Sequence, residues 1–280
     1  MNIKVGTRGS KLALRQTQSV IDQMQSAYPE DSFEVVVIKT SGDKNQKSSI
    51  EELGSKGAFI DEIEKALCED KIQLAVHSMK DLPAFLEDGL TLTKAWKRED
   101  PRDALILKEA SSLKELKEGA VIATGSKRRK YQLLKLRPDL KVVDIRGNID
   151  TRIRKLYEPA EDEPVLDGIV LAVAGLKRIG RENEITEIFS YDEMIPAPTQ
   201  GILALEVRKD HVELIKKLDS LSDEGTNLQA IKEREFLLAS GADCRKPVGA
   251  YLDLETDIFY TLIGDEEGTY LDIKKEHYDR

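Results

Sequence analysis

Short apolar runs alternate with amphipathic stretches along most of this chain, and the alternation predicts strands and helices in turn. NIKV (2–5) predicts a strand, and Ser10 predicts the cap of a helix to about Tyr28, with Leu12, Val20, Ile21 and Met24 on its inward face. FEVVVIK (33–39) predicts a second strand. A long polar stretch, TSGDKNQKSSIEELGSKG (40–57), then precedes a helix to about Glu69 carrying Phe59, Ile60, Ile63 and Leu67, and IQLAVHS (72–78) predicts a third strand. Strands buried on both faces read as continuous apolar runs, so this is a βαβ pattern. It recurs as ALIL (104–107), VIAT (121–124), a helix over about 126–136, VVDI (142–145), a helix from about Ile149 and GIVLAV (168–173), with ILALEV (202–207) as one more strand. The tail from about Asp223 is different, with one helix and then strands near 248–254, 257–263 and 269–274. The expected fold class is α/β, two α/β domains plus a small C-terminal α+β domain. The expected boundaries are 1–97 with 200–219, then 98–199, then 220–280, the first break falling at REDPRD (98–103), where Pro101 interrupts the pattern.

Composition narrows the function. With 280 residues and 40% hydrophobic content the chain can build sizeable cores. MNIKVGTRGSKLA has no apolar leader and no apolar run is long enough to span a membrane, so a soluble, cytoplasmic protein is expected. The formal net charge of −9 opposes binding to nucleic acid or an anionic membrane. The cations are nevertheless concentrated: KRRK (127–130), RGNIDTRIRK (146–155), Arg8 in TRGS, and Lys177 and Arg178 in LKRIG. Each group follows a predicted strand, as does VHSMKDLP (76–83), which runs from apolar residues straight into His77, Ser78, Lys80 and Asp81. In an open α/β sheet the ligand crevice lies at the carboxyl ends of the strands. Two of these exits also open helices, at Ser10 and Ser126, whose free backbone N–H groups favour anions.

The two cysteines are far apart and act, if at all, as thiols. Cys244 lies in the polar, Gly- and Pro-marked loop GADCRKPVG, where a thiol can be reached, whereas Cys68 sits near the apolar edge of a helix and reads as a small buried hydrophobe. His77, His211 and His277 have no metal-ligand spacing, so no metal is expected, and His77 reads as a hydrogen-bonding residue.

TRGSKLAL, GSKGAFIDEIEKAL, AVHSMKDLP, REDPRDA, TGSKRRKYQL, RPDLKVVDIRGNIDTR, ILAVAGLKRIG, PAPTQG and ERxFL followed by CRKPVGAY together resemble the porphobilinogen deaminase (hydroxymethylbilane synthase) family, in the family's order and over nearly the whole chain. TGSKRR stands where T-S-S-L-R-R is usual, and PAPTQG where P-A-V-G-Q-G is. The resemblance implies a transferase that condenses four porphobilinogens head to tail with loss of ammonia, on a dipyrromethane cofactor joined to Cys244 by a thioether. It also implies that the first two domains share the two-lobed architecture of periplasmic binding proteins.

Further expectations follow from that resemblance. Asp81 and Lys80 match the catalytic positions, Asp81 as a buried anion that stabilises positive charge on the pyrroles and relays protons. Cys244, Lys80, Asp81, Thr124, Ser126, Arg128, Arg129 and Arg146 match cofactor-binding positions. Arg8, Ser10, Lys56, Arg146, Arg152, Arg178 and Gln200 match substrate-binding ones. Every pyrrole ring of the substrate carries an acetate and a propionate, and the planar fork of arginine suits carboxylates. The stretch 42–57, with Lys44, Lys47 and Lys56, is expected to cover the growing chain. The expected partner is porphobilinogen, and a monomer is expected. The alternative is a non-catalytic two-lobed binding protein for a small polyanion.

Overall fold

The computed structural model describes residues 1–39, 60–83, 85–241 and 246–279, and these form two compact units, Met1–Glu99 with Gly201–Ile231 and Asp100–Gln200 with Lys232–Arg280. In the first unit, strands β1 (Asn2–Thr7), β2 (Ser32–Val37), β3 (Leu74–Ser78) and β4 (Leu90–Leu92) form a five-stranded sheet with the returning strand β10 (Leu203–Arg208), in the order β2-β1-β3-β10-β4. β1 runs parallel to β2 and β3, whereas β10 is antiparallel to β3 and β4. Helix α1 (Lys11–Ala27) packs Val20, Ile21 and Met24 on one face of this sheet, against Ile3, Val5, Leu74, Val76 and Leu205. Helix α2 (Asp61–Cys68) packs Ile63, Ala66 and Leu67 with Ala75 of β3. Burying each of these larger side chains is worth roughly 1.5–3 kcal/mol, enough to hold a short helix that would not persist alone.

The second unit repeats this plan. Strands β5 (Asp103–Leu107), β6 (Val121–Ala123), β7 (Lys141–Val143), β8 (Gly168–Ala172) and β9 (Glu187–Ile188) are ordered β7-β6-β8-β5-β9. β6 is parallel to β7 and β8, and β5 is antiparallel to β8 and β9. Helices α3 (Lys127–Leu136), α4 (Ile149–Tyr157) and α5 (Val173–Arg178) follow β6, β7 and β8. After β10 come α6 (Val212–Asp219) and α7 (Glu224–Ala239), then an antiparallel sheet β11 (Val248–Asp253), β12 (Ile258–Gly264) and β13 (Leu271–His277). In this small sheet Tyr251 stacks on Tyr191 with ring centroids 4.0 Å apart. Two α/β sheets and a small α+β module are therefore the fold class that the periodicity predicts.

The structure differs from the sequence reading in two respects. β4 and β9 are too short to show a period in sequence. FEVVVIK reads as a buried strand, yet β2 is a sheet edge, and Val35 and Val37 stay 39% and 50% exposed. β-branched residues serve an edge strand's propensity as well as a core's.

The return of the chain from β9 toward β10 passes through two left-handed residues. Thr199 has φ of 60° where the related motif has glycine, and its N–H donates to Glu233 Oε2 at 2.6 Å. Gly201 has φ of 93°, and a Cβ there would stand 2.3 Å from the Glu99 carbonyl oxygen. Replacing Gly201 with alanine combines that clash with an unfavourable backbone conformation. Gly201→Ala should lower the melting temperature clearly in a thermal scan, and an unchanged transition would mean that the Glu99–Gly201 approach has slack.

Candidate active site

In the first unit two neighbouring parallel strands bring their exits together. β1 ends in Thr7, Arg8 and Ser10, and the Ser10 side chain accepts from the Ala13 N–H at 3.2 Å as the cap of α1. β3 ends in a single 3-10 turn, Met79–Asp81. Met79 and Leu82 are buried with Ile60, Ala95, Ile202 and Ala204, and this anchoring turns Lys80 and Asp81 outward. Lys80 is half-buried and Asp81 exposed, so the aspartate is not the buried anion expected from sequence. Antiparallel β10 starts beside this exit, where Met79 N–H donates to the Ile202 carbonyl at 3.0 Å. Gln16, buried on α1, donates from Nε2 to Ser78 Oγ at 2.9 Å and ties the two exits to each other.

In the second unit three parallel exits are adjacent, carrying Thr124–Arg129, Asp144–Asn148 and Val173–Arg178. Thr124 is buried, and its Oγ1 accepts from the Ser126 N–H at 3.3 Å. Ser126 and Asn148 cap α3 and α4. Gly147 takes φ of 110°, a turn in which a Cβ would meet Thr151 Cγ2 at 2.6 Å, and its carbonyl accepts from Arg152 Nε at 2.8 Å. Arg146 is exposed, while Arg152 and Arg178 are half-buried. A cavity of about 260 Å³ opens beside Arg146, bounded by Asp144, Leu166 and the 2.8 Å Lys155–Glu163 ion pair.

Arg128 and Arg129 occupy a different environment from the other arginines. Both are buried on the first turn of α3, where they meet Asp103, which is fully buried at the start of β5. Arg128 Nη1 donates to Asp103 Oδ2 at 2.7 Å and to the Ile195 carbonyl at 2.6 Å. Arg129 donates to Asp103 Oδ1 from Nε at 2.9 Å and from Nη2 at 2.7 Å, and its Nη1 reaches the Val170 carbonyl at 3.1 Å. Gln200 Nε2 adds a bond to Asp103 Oδ1 at 2.9 Å and another to the Pro101 carbonyl at 2.7 Å. Burial alone would raise the Asp103 carboxyl, but the charges of Arg128 and Arg129 outweigh it and hold the acid well below the usual carboxylate range. The antiparallel direction of β5 makes this possible, because it places Asp103 opposite Ala172, at the exit of β8.

Sequence reasoning passed over Asp103, although a signal was present. In DALIL every residue is buried, and a carboxylate opening such a strand demands a cation. Lys56, Cys244 and the stretch 42–57 lie outside the described residues. Among the described residues no group of His, Cys, Asp and Glu could hold a metal ion, and no helix is long and apolar enough to cross a membrane.

Residues 3–216 match the family model described as porphobilinogen deaminase, dipyromethane cofactor binding domain. The chain belongs to the porphobilinogen deaminase family. It is 54% identical over 251 residues to the porphobilinogen deaminase of Lachnospira eligens, covering 90% of this chain and 84% of that protein. It is 48% identical over 277 residues to that of Clostridioides difficile, covering 98% and 90%. Among solved structures, the methionine binding protein MetQ overlays with a TM-score of 0.46 at 14% identity, covering 84% of this chain and 95% of that one. The porphobilinogen deaminase match spans every described site residue above and ends before Cys244.

Asp103→Asn keeps the side-chain shape but leaves two buried guanidinium groups without their counter-charge. A loss of about 3–5 kcal/mol of stability is expected, measurable by denaturant unfolding. Because the folded acid is depressed, its contribution holds above the ordinary carboxylate range and is lost only as pH falls through the depressed value. A variant as stable as the parent at neutral pH would show that the arginines do not need this anion.

Proposed function

We propose that the protein is a hydroxymethylbilane-forming transferase, which condenses four porphobilinogen molecules head to tail with release of ammonia on a dipyrromethane joined to Cys244. The observation that carries this reading is the set of cationic strand exits in each sheet, in a chain 54% identical to a porphobilinogen deaminase. The donor set fits a group bearing several carboxylates: Arg146, Arg152 and Arg178 sit at adjacent exits, beside the hydroxyls of Thr124 and Ser126 and the N-terminal end of α3. Arg128 and Arg129 add the guanidinium hydrogens that Asp103, Ile195 and Val170 leave unused, since each guanidinium has five. The dipyrromethane supplies the primer to which the product chain is joined.

The remaining roles belong to this chain's own residues. Arg8 and Ser10 bind substrate carboxylates at the β1 exit, and Lys56, Arg146, Arg152 and Arg178 are the other substrate-binding cations, while Gln200, buried against Asp103, acts through that carboxylate. The Asp81 carboxylate stabilises positive charge at pyrrole N–H groups and accepts the proton from the ring carbon that forms the new bond, with Lys80 beside it. Exposure of Asp81 in the turn leaves its carboxylate accessible to a ring. The chain is organised as three domains, 1–97 with 200–219, 98–199 and 220–280, the last carrying the cofactor cysteine. It works in the cytoplasm as a monomer, without nucleic acid or membrane. A non-catalytic polyanion-binding protein is disfavoured, because relatives covering most of the chain are named as deaminases.

Two measurements test this. The purified protein should outweigh its bare chain by one dipyrromethane and give a pyrrole colour with an aldehyde reagent, and Cys244→Ser should do neither, while Cys68→Ser should do both. Active protein of unmodified mass would overturn the thioether. Asp81→Asn should keep its fold and cofactor yet lose at least about a hundredfold in kcat. Near-normal turnover in that loaded variant removes Asp81 from the chemistry.

A further inference from the structure

Beneath the β3 exit lie three buried ionisable groups that the proposed chemistry does not use. His77 of β3 places Nε2 3.1 Å from Glu206 Oε2 of β10, and the two side chains are 7% and 0% exposed. The other Glu206 oxygen, Oε1, is buried with no hydrogen-bond partner among the described residues, and so is Oε1 of Glu64 on α2. The backbone N–H of Glu87 favours the charged form of Glu64 but is outweighed. Two neighbouring buried carboxyls cannot both ionise without large cost, and a proton on one supplies a donor that these oxygens lack. Burial first, and then the charge of Glu206, push Glu64 up to about 7, so Glu64 is the group that keeps the proton.

The surrounding charges reinforce this assignment. Glu87 and Asp61 add further negative charge near Glu64, and the Cys68 thiol, exposed on α2 rather than buried as its sequence suggests, is raised by partial desolvation and then by the charges of Glu87, Glu64 and Glu206. Arg208 opposes them, but it is itself engaged by Asp210, with Nε 2.9 Å from Oδ1. Of the other strands against α2, β1 offers only the exposed Lys4, and β4 has no ionisable side chain.

The same three elements support the Lys80–Asp81 turn. His77 pairs in register with Ala204, two residues later Met79 N–H bonds to Ile202 of the strand leading into β10, and Met79 and Leu82 share an apolar cluster with Ile60 at the start of α2. We propose that Glu64, buried on the helix that packs against the strands of the His77–Glu206 pair, is a positioning residue that holds a proton beneath this turn and keeps Lys80 and Asp81 in working geometry while it is held. Release of that proton puts a buried negative charge on α2, within the packing on which the turn rests. Because Glu64 is raised in the folded state, the stability it contributes is complete below the ordinary glutamate value and is lost as pH rises through about 7. The functional part of the proposal rests on Lys80 and Asp81 being the reacting edge.

Glu64→Gln fixes that position neutral with little change of shape. In the cofactor-loaded enzyme, the ratio of variant to parent turnover should rise about threefold or more between about pH 6 and pH 8.5, because only the parent loses the proton. The ratio cancels the titration of groups common to both. Amides of residues 79–82 should lose hydrogen-exchange protection with rising pH in the parent, and keep it in Glu64→Gln. Glu206→Gln should shift the parent's inflection to lower pH by removing the neighbouring charge from Glu64. A flat turnover ratio with equal protection in both proteins overturns the proposal, as does a pH effect confined to melting temperature. If Asp81→Asn proves fully active, the reacting-edge reading fails by itself, and the exchange measurement still decides whether Glu64 holds the turn.

Discussion

The contact on which the second unit depends is the one between Asp103 and the paired guanidinium groups of Arg128 and Arg129. Three charges are removed from water at the exit edge of an apolar sheet, which is tolerable only when each is met by an opposite charge and oriented hydrogen bonds. That requirement dictates much of the surrounding geometry. It fixes the first turn of α3 against β5, recruits Gln200 and the carbonyls of Ile195 and Val170, and holds the start of α3 beside the exits that carry Arg146 and Arg178. A polar network of this kind specifies one arrangement more sharply than aliphatic packing would, because any slip leaves a buried charge unpaired.

Strand direction is the second organising constraint. In each sheet the parallel strands deliver their exits to one edge, and the single long antiparallel strand begins at that edge. β10 therefore starts where β3 ends, and β5 starts where β8 ends. The residues just before these strands, Ile202 and Arg102, are thereby brought to the exits of β3 and β8, where their carbonyls accept from the Met79 and Val173 N–H groups. Periodicity alone marks both neighbourhoods as connections, although REDPRDA and PAPTQG are among the motifs of the family resemblance.

Much of this was legible in the chain itself. The apolar runs locate β1, β3, β6 and β8, Ser10 and Ser126 mark helix caps, and the collection of arginines at strand exits follows from the pattern alone. Strand direction could not be read, because β5 and β10 carry the same continuous apolar signal as their parallel neighbours. The partnership of Asp103 with the KRRK arginines was missed for that reason, since only an antiparallel β5 brings an N-terminal aspartate to the end of β8. The exposure of Asp81 also escaped, because it depends on Met79 and Leu82 both anchoring inward around one short turn. The buried pairing of His77 with Glu206 joins residues far apart in sequence and leaves no local trace.

The place of β10 also sets an order of events on the ribosome. This strand lies between β3 and β4, yet it emerges after the whole α/β part of the second unit has been made. Until then β3 has an unpaired edge, and Glu206 has not arrived to meet His77. Nascent chains usually complete their domains from the N-terminus onward. Here the unit begun first is closed only after the second sheet has been made, and the interval between leaves an open strand edge beside the future Lys80–Asp81 turn, a stretch exposed to mispairing during synthesis.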